Sequence, residues 1–311
     1  MSETDSVAVP RPERLQVDAV ALQRQLRRLA AASEAPWLHG EIAQRMAERL
    51  PIIKFQPERV LQWSAFLGSS DAELRRAYPQ AQMTWVEPIE ALQARSKAAL
   101  HRPSSGLMGL LRRRESPVPV LLPAEVSESA TQLLWSNMYL HQSPDPQALI
   151  RRWHRALQVD GFIMFSCLGP DSLRQLRELH LSLGFGPAGP EWIDMHDIGD
   201  MLVEVGFADP VMDQERLSLT WREPARMLED LHALGGNLSV ARFAGMRTPR
   251  WRARYLQALE HLRGADGLLR VTLEVAYGHA FKPVPRARVE PETRITVEQM
   301  KALVRKRESG H

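Results

Sequence analysis

The sequence predicts an α/β protein with a doubly wound, mostly parallel sheet. Short apolar runs that are typical of strands, such as 59–63 and 82–87, alternate with segments of helical periodicity, such as 88–100. A helix that crosses over between two strands brings them side by side in the same direction. With 311 residues, the chain is long enough to bury the core of such a fold.

Two helices are predicted before the first strand. One spans 18–32, and the other spans 36–50, where Leu38, Ile42 and Met46 recur at intervals of four residues. This spacing places the three side chains on one face of the helix. We expect the two helices to cover an edge of the sheet or to form a lid.

The segment 60–78 reads as strand, tight turn and helix. An apolar run at 60–63 enters a turn of Gly and Ser, and Ser70 and Glu73 have the spacing of a capping box that opens a helix ending near Tyr78. A helix N-terminus at the carboxyl end of a strand presents free N–H groups, and glycines there allow the backbone to approach a bound cofactor. Between 60 and 70, Gly68 is the only glycine.

The remaining elements continue the alternation. Asp145 and Pro146 form a helix start, Asp171 is a candidate cap for a further helix, and Gly206 is a helix stop. Strands are predicted at 130–135, 162–167, 212–221 and 268–277, and helices at 146–157, after 171 and at 197–205.

Composition narrows the classes of function. The 40 Lys and Arg nearly balance the 37 Asp and Glu, so the net charge of +3 gives no argument for nucleic-acid binding. The single cysteine, Cys167, excludes an internal disulfide framework and fits a reducing, cytoplasmic setting. No stretch approaches the ~20 apolar residues of a membrane span, and the histidines lack metal-ligand spacing. We therefore expect neither membrane insertion nor a bound metal.

Several blocks of sequence carry a family resemblance. The blocks TQLLWSNMYLH (131–141), RALQVDGFIMFS (155–166) and LGPDSL (168–173) resemble class I S-adenosylmethionine-dependent methyltransferases. MHDIGDML (195–202) and GFADP (206–210) resemble the subgroup that methylates malonyl-acyl-carrier protein in biotin synthesis. The similarity covers about residues 36–283. It implies a three-layer Rossmann-like fold with seven strands.

The resemblance also implies a domain plan. A methyltransferase-like domain is expected at 18–283, after a disordered N-terminus at 1–17 and before a basic tail at 284–311. Within the domain, 101–123 is expected to be a flexible basic loop and 168–211 a helical insertion on the substrate side. The run 112–114 in that loop is Arg-Arg-Arg, which could meet an acidic acyl carrier protein, although short basic runs more often mark a solvated, exposed loop.

The family's cofactor motif falls on the turn after the first strand. In the family, a strand ends in an acid and is followed by Gly-x-Gly-x-Gly, and these positions are occupied here by Gln62, Ser64, Phe66 and Gly68. The resemblance implies that Ser64 and Gly68 contact S-adenosylmethionine. A phenylalanine at 66 instead places a ring where the backbone would approach the cofactor.

Four further residues are candidates for the same site. The resemblance places Glu87 where the family has an acid that binds both ribose hydroxyls; capping of the following helix is the alternative. Trp135, Ser136 and Asn137 end the fourth strand, beside the crevice where such sheets bind ligands. They are expected to line the methyl-transfer pocket, whereas core packing and a local turn form the alternative reading. His141 is more simply a packed histidine than a base, and no catalytic residue is assigned.

Two functions are consistent with these residues. One is methyl transfer from S-adenosylmethionine to a carboxylate that is small and acidic or bound to an acyl carrier protein. The other is a catalytically inactive relative that keeps the fold as a binding or regulatory partner, its cofactor cleft closed by Trp63 and Phe66. The retained Glu87 favours the enzyme, and the substitutions at 62, 64 and 66 favour the inactive relative.

Overall fold

The computed structural model describes residues 17–101, 118–243 and 245–285. Residues 1–16 of the predicted disordered N-terminus, 102–117 of the predicted basic loop and 286–311 of the predicted tail lie outside the described residues. Val17 is described, and it forms an antiparallel bridge with Ser239.

The described residues form one seven-stranded sheet in the order β3-β2-β1-β4-β5-β7-β6. Strands β1 to β5 are parallel to their neighbours, whereas β7 runs antiparallel to β5 and β6. The predicted fold class is therefore confirmed. The strands are β1 (Arg59–Trp63), β2 (Gln82–Val86), β3 (Val120–Leu121), β4 (Thr131–Ser136), β5 (Leu157–Leu168), β6 (Ala208–Trp221) and β7 (Leu269–Phe281).

Helices flank both faces of this sheet. The side chains of Asp18 and Asp145 cap helix N-termini by accepting hydrogen bonds from backbone N–H groups. Gly206 ends a helix with φ 107°. The helices are α1 (Ala19–Ala30), α2 (Trp37–Ala47), α3 (Ala65–Gly68), α4 (Asp71–Ala77), α5 (Glu90–Leu100), α6 (Pro146–Ala156), α7 (Arg174–Ser182), α8 (Met195–Val205), α9 (Pro224–Leu234) and α10 (Pro249–Leu259).

Each face of the sheet has its own apolar core. On one face, Leu38, Ile42 and Met46 of α2 are buried, as their spacing predicts, in a cluster that includes Phe162. On the other face, a second cluster gathers Trp153 of α6 with residues of α8 and β5. The strand order reverses at β1, which lies between β2 and β4, so ligand binding is expected at the carboxyl ends of these strands.

Three local predictions differ from the structure. Val120–Leu121, inside the predicted loop, forms strand β3, because parallel pairing with β2 satisfies its backbone groups. Ser70 precedes α4 without a side-chain cap, since its Oγ donates to the Gly68 carbonyl at 2.9 Å. Asp171 does not cap α7: Leu173 stands at that position with φ 57°, and the Asp171 carboxylate pairs with Arg216.

The predicted insertion 168–211 contains α7 and α8, together with the start of β6. A second pair of helices, α9 and α10, lies between β6 and β7 in the chain. Residues of α7, α9 and α10 share an apolar cluster, so helices from two chain segments pack together here. Among the described residues, none of the helices is long and apolar enough to cross a membrane.

Candidate functional site

The six predicted site residues lie together at the carboxyl ends of β1, β2 and β4. All of them are buried, and the five other than glycine have exposed fractions of 1% or less. The Trp135 side chain belongs to the apolar core on the α2 face, so its ring contributes packing. The six are Ser64, Gly68, Glu87, Trp135, Ser136 and Asn137.

A short helical turn occupies the place of the predicted tight turn. Ser64 adopts a left-handed conformation (φ 56°), α3 follows over four residues, and Ser69 is again left-handed (φ 49°). Gly68 ends α3 directly against strand β4, where an added Cβ would lie 3.6 Å from the Asn137 Cβ. A separation of 3.6 Å is an ordinary van der Waals contact, so the space at position 68 would also admit an alanine.

Asn137 fixes the position of this loop through its side-chain amide. Its Nδ2 donates to the carbonyl oxygens of Gly68 and His39, each at 2.7 Å. Its Oδ1 accepts a hydrogen bond of 2.6 Å from the Ser166 hydroxyl. One buried amide thus ties together the β1 loop, helix α2 and strand β5.

Glu87 holds the other end of α3. Its Oε1 accepts hydrogen bonds from the Phe66 N–H at 2.8 Å and from the Ser96 hydroxyl at 2.7 Å. Oε2 is buried and has no hydrogen-bond partner in the described part of the chain. Burial raises the pKa of this carboxyl to about 7. Glu87 therefore stabilises the N-terminus of α3 rather than that of the helix that follows β2.

Gln62, at the family's acidic position, is directed toward α4. Its Nε2 donates to Asp71 Oδ1 at 3.0 Å, and the Trp85 indole N–H donates to the same oxygen at 3.2 Å. Arg75 forms an ion pair with the second oxygen of Asp71. The carboxylate nearest to position 62 is thus already held by three donors from the protein.

Helix α1 covers the β1 loop from outside. Leu22, Leu26 and Leu29 of α1 form an apolar cluster with Leu67, and the cluster also includes Ile89 and Leu92 of the segment after β2.

The C-terminal end of α1 is fastened over the loop as well. The Arg95 guanidinium lies 3.8 Å from the Phe66 ring centre and donates to the carbonyl groups of Ala32 and Ser33, just past α1. The space in front of Glu87 is therefore occupied by the chain's own side chains.

An open cavity of about 350 Å³ lies beside this closed edge. Apolar and aromatic residues of α7, α9 and α10 line part of it, among them Leu176, Leu231 and Tyr255. The six predicted residues do not line it. Arg247 does, and its guanidinium lies 3.9 Å from the Phe243 ring centre and donates to the Phe185 carbonyl.

Several polar residues also line the cavity, and among four of them from α1, α2 and the segment after β4, sequence reasoning singled out only His141. The other three are Gln25, His39 and Gln142. The sequence does carry a signal for Gln25, because it interrupts the apolar face formed by Leu22, Leu26 and Leu29. Burial lowers the pKa of His39 to about 4 and that of His141 to about 3, so both imidazoles are neutral at pH 7.

The part of the chain that the structure describes contains no cluster of three metal-ligating side chains. The chemistry available at the cavity is hydrogen bonding, apolar contact and the charge of two guanidiniums, those of Arg247 and of Arg242, which is paired with Asp18.

Comparisons with known proteins identify the family. A malonyl-[acyl-carrier protein] O-methyltransferase of Laribacter hongkongensis is 37% identical over 268 residues, which are 84% of this chain and 88% of that protein. The Gallionella capsiferriformans protein of the same name is 37% identical over 87% of this chain and 93% of its own length. The chain belongs to the malonyl-[acyl-carrier protein] O-methyltransferase family. No family model matches it.

Solved structures confirm the fold of this family member. The YcgJ protein of Bacillus subtilis aligns with a TM-score of 0.50 and 11% identity over 78% of this chain and 99% of its own. The [4+2]-cyclase SpnF aligns with a TM-score of 0.51 and 16% identity over 88% of this chain and 98% of its own. Identities this low establish a shared fold and leave the chemistry open.

S-adenosylmethionine is the cofactor of this family, and two features of the closed edge bear on whether it can bind. Glu87 keeps one unpartnered carboxylate oxygen, as a ligand of ribose hydroxyls requires. The Phe66 ring and Leu67, packed beneath α1, fill the cleft in front of it. The unpartnered oxygen of Glu87 therefore suits a ribose hydroxyl of the cofactor, whereas the packed Phe66 and Leu67 side chains would have to move to admit it.

Proposed function

We propose that the chain acts on acyl groups carried as thioesters by an acyl carrier protein and is an O-methyltransferase for a carboxylate at the end of such a group. The observation that carries this proposal is the cavity of about 350 Å³ at the carboxyl edge of the sheet, in a chain of this family. Its volume and mainly apolar walls suit a small acyl chain.

The chemistry asks little of the protein beyond positioning. A carboxylate is already ionised at neutral pH, so it needs no general base to become a nucleophile. The cavity walls hold the acyl group and exclude water. The neutral state of His39 and His141 is compatible with this role, because neither is required to move a proton.

Arg247 is the residue that we assign to the anionic part of the substrate. It lines the cavity, and none of the ion pairs found among the described residues includes it. The aromatic rings of Phe185, Phe243 and Trp251 surround its guanidinium and fix its position. A pre-positioned guanidinium can bind a carboxylate through two hydrogen bonds.

The closed cofactor edge favours a second candidate. In this alternative, the chain binds carrier-linked acyl groups without methylating them, because Phe66, Leu67 and α1 occupy the cleft. For either candidate we place the protein in the cytoplasm, because a chain with a single cysteine fits a reducing compartment.

The test combines two measurements on the full chain. Calorimetric titration with S-adenosylhomocysteine measures cofactor-site binding, and label transfer from S-adenosylmethionine to malonyl-acyl-carrier protein measures activity. Binding together with transfer supports the enzyme, and Arg247→Leu should then raise the KM for the carrier-linked substrate at least ~10-fold, as the loss of a charge-assisted pair predicts. Arg250→Leu, an exposed arginine of α10, is the matched control.

The variant Phe66→Gly separates the two candidates. If the wild type binds no S-adenosylhomocysteine but Phe66→Gly does, the cleft is closed by substitution and the second candidate is correct. If neither protein binds malonyl-acyl-carrier protein, both candidates are wrong.

A further inference from the structure

The wall of the acyl cavity contains a polar group of four residues that the proposed reaction leaves unexplained. Gln25 comes from α1, His39 from α2, and His141 and Gln142 from the segment after β4. Gln25, His39 and Gln142 are more than nine-tenths buried, with exposed fractions of 7%, 3% and 5%. Polar side chains buried this far from water need hydrogen-bond partners.

A chain of hydrogen bonds fixes which atom of Gln25 is left as an acceptor without a partner among the described residues. Gln142 Nε2 donates to the Met138 carbonyl at 3.0 Å, so Gln142 Oε1 must be the acceptor. Gln25 Nε2 donates to that Oε1 at 3.1 Å. Gln25 Oε1 is therefore left as an acceptor, and it is buried without a partner among the residues that the structure describes.

His39 has a defined polarity for the same reason. Its Nδ1 lies 2.7 Å from the Leu67 carbonyl oxygen, which only accepts, so Nδ1 carries the hydrogen. Nε2 is then the lone-pair acceptor of a neutral imidazole. Two side chains on the same cavity wall therefore present acceptors, one by an amide oxygen and one by an imidazole nitrogen.

Charge on this wall does not favour an anion. His141 is neutral, since burial lowers its pKa to about 3. Arg242 also lines the cavity, but it is paired with Asp18 at 2.6 Å and donates to the Ser239 carbonyl. A carboxylate only accepts hydrogen bonds, so it would leave both acceptors desolvated and unpaired.

We propose that Gln25 and His39 form a donor-binding subsite, which takes a neutral amide N–H or hydroxyl group of the ligand and excludes its carboxylate. The identity of the ligand rests on the proposed function. The part of a carrier-linked acyl group that has amide N–H and hydroxyl donors is its pantetheine arm. The subsite thereby recognises the arm, and the acyl end is bound elsewhere in the cavity.

The first test varies the ligand and leaves the protein unchanged. Ligand-observed NMR titration of the full chain compares pantetheine with an analogue in which both amide nitrogens are methylated. Methylation removes the N–H donors, so we expect the analogue to bind ~10- to 100-fold more weakly. Equal binding of the two compounds would overturn the proposal, and so would failure of pantetheine to bind at millimolar concentration.

The second test varies Gln25. Gln25→Met keeps the length of the side chain and removes the acceptor, so it should reduce the preference for pantetheine to less than ~3-fold. Gln93→Met is the matched control, because Gln93 bonds to the Val120 carbonyl and to Glu125, outside the cavity. Retention of the full preference by Gln25→Met would contradict the assignment, and thermal unfolding of each variant shows whether it is folded.

These tests are independent of the methyl-transfer assay. Absence of transfer by the wild type, with pantetheine still preferred over its methylated analogue, would remove the proposed function and leave the subsite in place. Transfer without any such preference would support the proposed function and remove the subsite.

Discussion

Two neighbouring regions on the carboxyl edge of the sheet differ in how they fill space. At the ends of β1 and β2, the chain's own residues close the cleft: Phe66 and Leu67 pack under α1, and Glu87 bonds to the backbone of α3. Beside β4 and β5, helices α7, α9 and α10 border an open cavity of about 350 Å³. The first region is packed with side chains, and the second has space for a ligand.

Both regions contain buried polar atoms without a hydrogen-bond partner among the described residues, and Gln25 Oε1 is one at the cavity. At the closed edge, Gln62 Oε1, Ser64 Oγ and Glu87 Oε2 are buried without a hydrogen-bond partner in the described residues. Such atoms are costly in a packed interior and ordinary in a ligand site. The closed edge thus keeps polar groups of the kind found in binding sites under an apolar cover.

The largest expected effect tests whether the cover is part of the core. Leu26→Ala removes a side chain of α1 that is 1% exposed and should lower the free energy of unfolding by about 2–5 kcal/mol. Leu176→Ala, in the cavity wall, should have a cost of the same order. Hydrogen exchange separates them: Leu26→Ala should raise exchange at 65–67 and 89–92, and Leu176→Ala should raise it near 176–185. Identical exchange patterns would show that the two regions are not independent.

The next effect concerns pH and Glu87. Its folded-state pKa of about 7 lies above the ordinary 4.5, so the folded chain holds a proton that the unfolded chain releases. The associated stability is present below pH 4.5 and is lost as the pH rises through 7. Glu87→Gln should remove this loss and exceed the wild type by at most about 3 kcal/mol at alkaline pH, from 1.36 kcal/mol per pKa unit.

Urea unfolding of both proteins at pH 5 and pH 8.5 measures this difference. The control is Glu90→Gln, an exposed glutamate at the start of α5. An equal pH dependence for Glu87→Gln and the wild type would mean that Glu87 is hydrated, and hence that the edge is open in solution.

The smallest effect concerns the left-handed residues of the β1 loop. Ser64→Gly should raise the free energy of unfolding by about 0.5–1 kcal/mol, because glycine adopts φ 56° without strain and the unpartnered hydroxyl is removed. Ser69→Gly relieves a similar φ of 49° but removes an exposed hydroxyl, so its gain should be smaller. Denaturant midpoints of the two variants provide the comparison, and a larger gain for Ser69→Gly would contradict it.

The sequence was sufficient for the sheet apart from β3, but not for the cavity. Alternation of strands and helices, the Asp145 cap and the Gly206 stop are local signals, and the structure confirms each of them. Helix α3 was missed because its four residues are shorter than any periodicity that a sequence can display.

Contacts between distant parts of the chain were not predictable either. The amide of Asn137 joins residues 98 and 69 positions away, and Gln25 bonds to Gln142, 117 positions away. No local pattern encodes such pairs. A polar residue within an apolar helix face, as Gln25 is in α1, was the one available hint that the helix borders a cavity.

The attachment of α1 has a consequence for the order in which the molecule assembles. Asp18 pairs with Arg242, 224 positions later in the chain, and the Asp18 N–H donates to the Leu238 carbonyl. Closing so long a loop is entropically unfavourable until the sheet and its later helices have formed. Helix α1 precedes the sheet in the chain but is expected to be among the last elements to dock, so the cleft and one wall of the cavity are completed only late in folding.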